Sequence, residues 1–116
     1  MYRSFEDLEV WKRACKPAVR LYKVLENCRD LGLRDQMQRA GVSIASNVAE
    51  GSERRGKDFA RFLSISRGSC AELRTQLYIA ARVELINDAT MRELVDETKQ
   101  ISKMLYALGK SLETKR

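Results

Sequence analysis

Five polar side chains recur along one side of an otherwise helical stretch: Gln36, Arg39, Ser43, Asn47 and Glu50, within "GLRDQMQRAGVSIASNVAEGSERRG" at residues 32–56. At roughly 100° per residue they share an arc of about 80°, beside the apolar arc of Leu33, Met37, Ala40 and Ile44. A merely solvated face more often carries Lys and Glu. Ser and Asn are poor helix formers, so placing them mid-helix points to specific side-chain hydrogen bonds. Gln and Asn both donate and accept, and Arg39 can pair with a carboxylate. The stripe is either a polar network between helices or a surface that reads a ligand. The residues alone leave both open. As a network it would hold Arg39 and Glu50 in hydrogen bonds within an assembly and set Asn47 against a polar group of a neighbouring helix.

A second chemistry is anion binding. Lys12, Lys16, Arg20 and Lys23 follow one another at spacings of four, four and three, which confines them to an arc of about 80° clear of Leu8 and Trp11. Arg54, Arg55, Lys57 and Arg61 form another cluster. Contacts to phosphates need only mobile cations, although the same residues also suit a solvated basic surface. Net charge is +6, with 16 basic and 10 acidic side chains in residues 1–82 and six of each in 83–116. The excess thus belongs to the first 82 residues and hints at an anionic partner. Aromatic residues make up 7% of the chain, and Trp11, Phe59 and Phe62 fall on apolar faces. Base stacking is therefore not expected, and binding should follow shape and charge.

Catalytic chemistry finds little material. There is no histidine for acid–base work and no glycine-rich phosphate loop. Glu50 and Glu72 can pair as carboxylates only if their helices meet, and the Glu-x-x-His pairs of di-metal bundles are missing. Cys15, Cys28 and Cys70 are widely spaced without a C-x-x-C pair, and Cys15 and Cys70 fit as small core residues. The expectation is a non-enzyme with no catalytic residues, no metal and no cofactor.

These residues need helices to position them. Ser4 followed by Asp7 reads as a capping box, and apolar residues then recur from Phe5 to Leu25 at helical spacing. Pro17 must kink or split that helix, and a kink is expected. The pattern lapses at "NCRDLG" and resumes from Leu33 to Val48. Gly51 reads as a helix stop, and "GSERRGK" as a loop. A third helix spans about 58–85, Asn87 and Asp88 cap the next, and Met91 to Leu112 alternate by three and four. No strand is predicted. With 44% apolar and 33% charged residues, the chain reads as one all-α domain over 1–116, an antiparallel up-down-up-down four-helix bundle. The N-terminus lacks a signal-peptide core and no run approaches the ~20 apolar residues of a membrane span. A cytoplasmic protein without membrane contact is expected.

The third helix exceeds what one small bundle can cover. Phe59, Phe62, Leu63, Ser66, Cys70, Leu73 and Leu77 form one face, and Ile65, Ile79, Val83 and Ile86 a second. Ser64, Gly68, Ala71 and Thr75 line the side opposite the first. A helix apolar or small on most sides is buried on most sides, so part of it is expected to meet another copy of the chain. Gly68 costs about 1 kcal/mol relative to alanine in a helix, which a close backbone approach would offset.

The chain also resembles a known family, the four-helix-bundle proteins encoded within intervening sequences of bacterial 23S rRNA genes. The likeness rests on two runs. Gln36, Arg39, Ala40, Ser43, Ile44, Asn47, Ala49, Glu50 and Gly51 meet the first, Q-x-x-R-A-x-x-S-I-x-x-N-x-A-E-G. Phe59, Arg61, Phe62, Leu63, Ile65, Gly68, Ser69, Glu72 and Leu73 meet the second, F-x-R-F-L-x-I-x-x-G-S-x-x-E-L. The resemblance implies an antiparallel bundle assembled as a homopentamer, and kinship with the basic, nucleic-acid-binding accessory variability proteins of diversity-generating retroelements. With it, the expected function is a non-catalytic oligomer that binds RNA through its basic surface. The alternative is a scaffold that recruits an unidentified ribosomal or RNA-processing protein. Salt dependence separates the two.

Overall fold

The computed structural model describes residues 4–114. The chain opens with a 3-10 turn, Phe5–Asp7, and continues as α1 (Glu9–Val24), α2 (Leu31–Arg54), α3 (Gly56–Arg82) and α4 (Asp88–Thr114). No strand occurs among the described residues. The bundle extends 47 × 19 × 18 Å, and a 27-residue helix such as α3 or α4 accounts for most of that length at about 1.5 Å per residue.

Cross-helix contacts fix the topology. Gly51 packs on Phe59 and Phe62 while Ser43 meets Ser69, so α2 and α3 run antiparallel. Arg13 reaches Glu97 and Gln100 while Arg20 reaches Glu93, which makes α1 antiparallel to α4. Ala60 lies near Glu113 and Arg74 near Lys99, so α3 opposes α4. Each helix touches its two neighbours and not its diagonal partner. The result is the expected up-down-up-down bundle. Its centre holds Leu21, Leu25, Met37, Ile44, Leu63, Leu73, Leu77, Leu94, Ile101 and Leu105, all fully buried.

Several local expectations change. Ser4 does not cap a helix through its side chain. Instead Asp7 N–H donates to the Ser4 carbonyl at 3.1 Å and Leu8 N–H to that of Phe5 at 3.0 Å. This 3-10 turn sets Phe5 edge-on to Trp11, with centroids 5.2 Å apart, and extended Leu8 separates it from α1. At Pro17, by contrast, the helix is not split, in keeping with expectation: α1 runs through the residue with its ring buried. Asp30 starts α2 by accepting from Leu33 N–H at 3.0 Å.

Gly51 is not a helix stop. It lies buried inside α2, where an added Cβ would come 2.7 Å from Phe62 Cβ. Its role is close approach rather than termination. The stretch read as a loop shrinks to Arg55, whose φ of 63° and ψ of −178° reverse the chain between two helices. Such a backbone state is nearly reserved for glycine.

The third helix ends earlier than its apolar pattern suggests. Glu84 takes φ 62°, Glu84 N–H donates to Ala81 O at 3.1 Å and Leu85 N–H to Ala80 O at 2.8 Å. This is a Schellman ending with glutamate where glycine is usual. Asn87 Oδ1 then accepts from Thr90 N–H at 2.7 Å and starts α4, as expected.

The first face of α3 is wholly buried, as read from its spacing. The second divides: Ile86 joins the core, whereas Ile65, Ile79 and Val83 are 42%, 48% and 50% exposed. Ser64, Gly68, Ala71 and Thr75 are exposed, and nothing in the chain lies within 4 Å of a Cβ added at Gly68.

Candidate nucleic-acid interface

The polar stripe of α2 separates into two parts. Ser43 and Asn47 are half-buried, while Gln36, Arg39 and Glu50 are exposed. Asn47 Nδ2 donates to the Ser43 carbonyl at 2.8 Å and to Ser43 Oγ at 2.9 Å. Ser43 Oγ in turn shares a 2.8 Å hydrogen bond with Ser69 Oγ of α3. Within the chain, then, serine rather than asparagine crosses to the next helix. Nearby, Ser66 Oγ donates to the Ile44 carbonyl at 2.7 Å. These short residues bring α2 and α3 together along their length. Glu50 accepts from Arg54 one turn on, at 3.2 Å. Around Arg39 and Ser43, the exposed Tyr22 and Val42 line a shallow depression.

The basic stripe of α1 is partly neutralised. Lys12 lies 3.7 Å from Glu9, and Arg20 Nη2 donates to Glu93 Oε1. Lys16 and Lys23 are exposed and form no ion pair among the described residues. Between the first two stands a residue outside the stripe, Arg13. Its Nε and Nη2 donate to the two Glu97 oxygens at 3.0 and 3.1 Å, and Nη2 also to Gln100 Oε1 at 2.8 Å. Hydrogen bonding to Glu97 pushes the guanidinium pKa up.

The cluster at the α2–α3 turn is also divided. Arg54 and Arg61 both approach Asp58, at 3.9 and 3.7 Å, and both stack on Phe62, at 5.2 and 4.8 Å from its centroid. Arg55 and Lys57 are exposed without an ion pair among the described residues.

A third basic surface was missed in the sequence. Arg67 and Arg74 of α3 face Lys99, Ser102, Lys103 and Tyr106 of α4 across an open groove that holds four cations and no carboxylate. Asp96 and Glu113 border the same inter-helix channel at its two ends, beside Lys99 and beside Arg67 and Tyr106. Arg67 sits 4.9 Å from the Tyr106 ring centroid and Lys110 5.6 Å. Tyr106 is 50% exposed, and Tyr78, further along the channel, 45%. Trp11, Phe59 and Phe62 do lie on inward faces; the tyrosines carry the exposed aromatic surface. The signal was present as Lys99, Lys103, Tyr106 and Lys110, spaced four, three and four apart.

The sorting of α4 explains both surfaces. Glu93 and Glu97 share one face and Lys99, Lys103 and Lys110 another, about 120° away at 3.6 residues per turn. The acidic face neutralises α1, and the basic face adds to α3. Counting charges by segment hides this, because residues 83–116 are neutral in total while the helix within them is polarised across its axis.

Burial pushes the Cys70 thiol up to about 11 and raises that of Cys15, which fits the expectation of inert core residues. Among the described residues no group of His, Cys, Asp or Glu is placed to hold a metal, and no helix is long and apolar enough to cross a membrane.

Comparison with known proteins places this geometry in context. The sequence profile of the family described as 23S rRNA-intervening sequence protein matches residues 6–107. A crystal structure from Bacteroides thetaiotaomicron, described as a protein of unknown function from the S23 ribosomal protein family, superposes with a TM-score of 0.80. It shares 23% identity, over 87% of this chain and 95% of that one, a likeness that speaks to the fold. Among curated proteins none matches.

Proposed function

This chain belongs to the 23S rRNA-intervening sequence protein family, and from that premise we propose that it is a non-catalytic helical bundle that assembles with copies of itself and binds RNA through a basic surface. The observation that carries the reading is the distribution of cations. Carboxylates neutralise Arg13 and Arg20, and Lys16 shares its cleft with Glu93, Asp96 and Glu97, whereas Lys23, Arg55, Lys57 and the α3–α4 groove keep their charge unopposed. Like charges held together without carboxylates raise the local potential and favour a polyanion. Nothing in such a surface requires bond-making chemistry.

Self-assembly is supported by the outer side of α3. Ile65, Ile79 and Val83 stay exposed, and the Gly68 backbone is open. A homopentamer would repeat the cations around a ring and multiply weak phosphate contacts. Exposed Tyr22 and Val42 beside the α2 stripe favour a second reading, in which that face docks a protein partner.

Purification at low salt tests the RNA reading: the eluted oligomer should carry nuclease-sensitive RNA that high salt strips away. Protein that elutes free of nucleic acid and shifts no RNA in native gels at low salt would reject it. Light scattering tests assembly, and a monodisperse 13.3 kDa monomer would reject that part.

A further inference from the structure

We infer that the α3–α4 groove is a track for single-stranded nucleic acid, in which Arg67, Arg74, Lys99 and Lys103 hold successive phosphates and Tyr106 and Tyr78 stack bases at its two ends. The inference rests on the RNA-binding reading and goes further, naming the site, the strandedness and a stacking contact that the sequence did not suggest.

Length argues for a polymer rather than a lone anion. Arg67 to Arg74 spans about 10 Å of helix, and Arg67 to Tyr78 about 16 Å, at 1.5 Å per residue. Arg67 lies against Tyr106, so the two exposed rings stand at opposite ends of the same row of cations. One phosphate cannot touch both ends; a run of a few nucleotides can. The groove is open along its side, which suits a strand laid in from solvent.

Shape argues for a single strand. Packed helices lie about 8–10 Å apart, too close for a duplex to enter between them. A single strand can seat its backbone among the cations and turn bases onto exposed aromatic faces, and such stacking tolerates any sequence. Tyr106 already carries Arg67 at 4.9 Å, so a base arriving there meets a ring and a guanidinium, both stacking surfaces. Carboxylates mark both ends of the track: Asp96 beside Tyr78 and Lys99 at one, and Glu113, paired with Lys110 at 3.5 Å, beside Arg67 and Tyr106 at the other. They confine the attractive stretch to the part between the rings.

The test uses the full chain and two fluorescein-labelled probes of equal length, oligouridine and a blunt RNA duplex, read by anisotropy. Lys99→Glu/Lys103→Glu should weaken oligouridine binding by about tenfold or more, and Lys12→Glu/Lys16→Glu, an equal charge change, by no more than about threefold. Tyr78→Leu/Tyr106→Leu should lose about tenfold on oligouridine and little on the duplex. Circular dichroism and light scattering confirm that each variant keeps its fold and assembly. Should a variant lose either, a crosslink on the wild-type protein replaces it: 5-iodouridine in the probe should label the peptides holding Tyr78 and Tyr106. Oligouridine binding that survives the groove variants but fails in the α1 variant would overturn the track and leave RNA binding standing. So would a preference for the duplex, or crosslinks confined to α1. A wild-type protein that binds neither probe would overturn the RNA reading itself and the track with it.

Discussion

Replacing Gly51 with alanine tests the tight α2–α3 crossing. Taken alone, alanine should strengthen the helix by about 1 kcal/mol. The new Cβ, however, would lie 2.7 Å from Phe62 Cβ, 3.2 Å from Phe59 Cδ1 and 3.3 Å from the Phe59 carbonyl. Phe62 Cβ is bound to the α3 backbone and cannot swing aside. Carbon atoms pack best at about 3.5–4.0 Å, so the helices must part by nearly an ångström along a seam that also carries the Ser66 and Ser43 bonds. Overpacking of this kind costs about 1–3 kcal/mol. Set against the propensity gain of about 1 kcal/mol, the clash should leave Gly51→Ala less stable by up to about 2 kcal/mol, or up to roughly 10 °C in Tm for a domain of this size. Gly109→Ala supplies the control, because nothing lies within 4 Å of a Cβ added there and propensity alone should stabilise it by up to about 1 kcal/mol. Urea unfolding followed at 222 nm measures both. If Gly51→Ala stabilised the protein as Gly109→Ala does, the seam would be looser than described.

Three further substitutions probe other parts of the fold. Glu84→Gly should relieve the left-handed residue of the Schellman ending and raise stability by about 0.5–1 kcal/mol; an unchanged or lower urea midpoint would contradict that backbone. Asn47→Leu removes two donated bonds but leaves Ser43 paired with Ser69, so the loss should be about 0.5–1.5 kcal/mol. A neutral result would recast the residue as part of a recognition surface. The Cys70 thiol, raised to about 11 from its ordinary 9.0, should resist alkylation in the native protein at pH 8. Because the unfolded thiol ionises first, the stability advantage of wild type over Cys70→Ala should be complete below pH 9 and shrink as pH climbs towards 11. An advantage that stays constant over that range would refute the burial argument.

The sequence made the bundle legible because each helix repeats apolar residues every three or four positions, a pattern that depends only on which face turns inward. Helix ends were harder. Gly51 looks like a terminator when nothing reveals the phenylalanines pressed against it, and the real reversals use Arg55 and Glu84, residues that carry no turn signal. The α2 stripe was legible as polar and structured, yet the partner of Ser43 lies 26 positions away and no helical wheel contains it. The same limit hid the α3–α4 groove. Arg67 and Arg74 belong to one helix and Lys99 and Lys103 to another, and only their antiparallel packing makes four cations one surface. Packing likewise diminished the α1 stripe, because Glu93 and Glu97 arrive from the opposite end of the chain.

The proposed RNA binding rests on the chain's unopposed cations. Measuring the affinity of the wild-type protein for a labelled single-stranded RNA across a salt series tests it most directly. The logarithm of the binding constant should fall linearly with the logarithm of salt concentration, at a slope of about 0.7 per phosphate neutralised. A slope of about 3 would correspond to the four-cation groove of one chain, and engagement of several chains would steepen it. Binding that is absent at low salt, or that ignores salt altogether, would contradict the account.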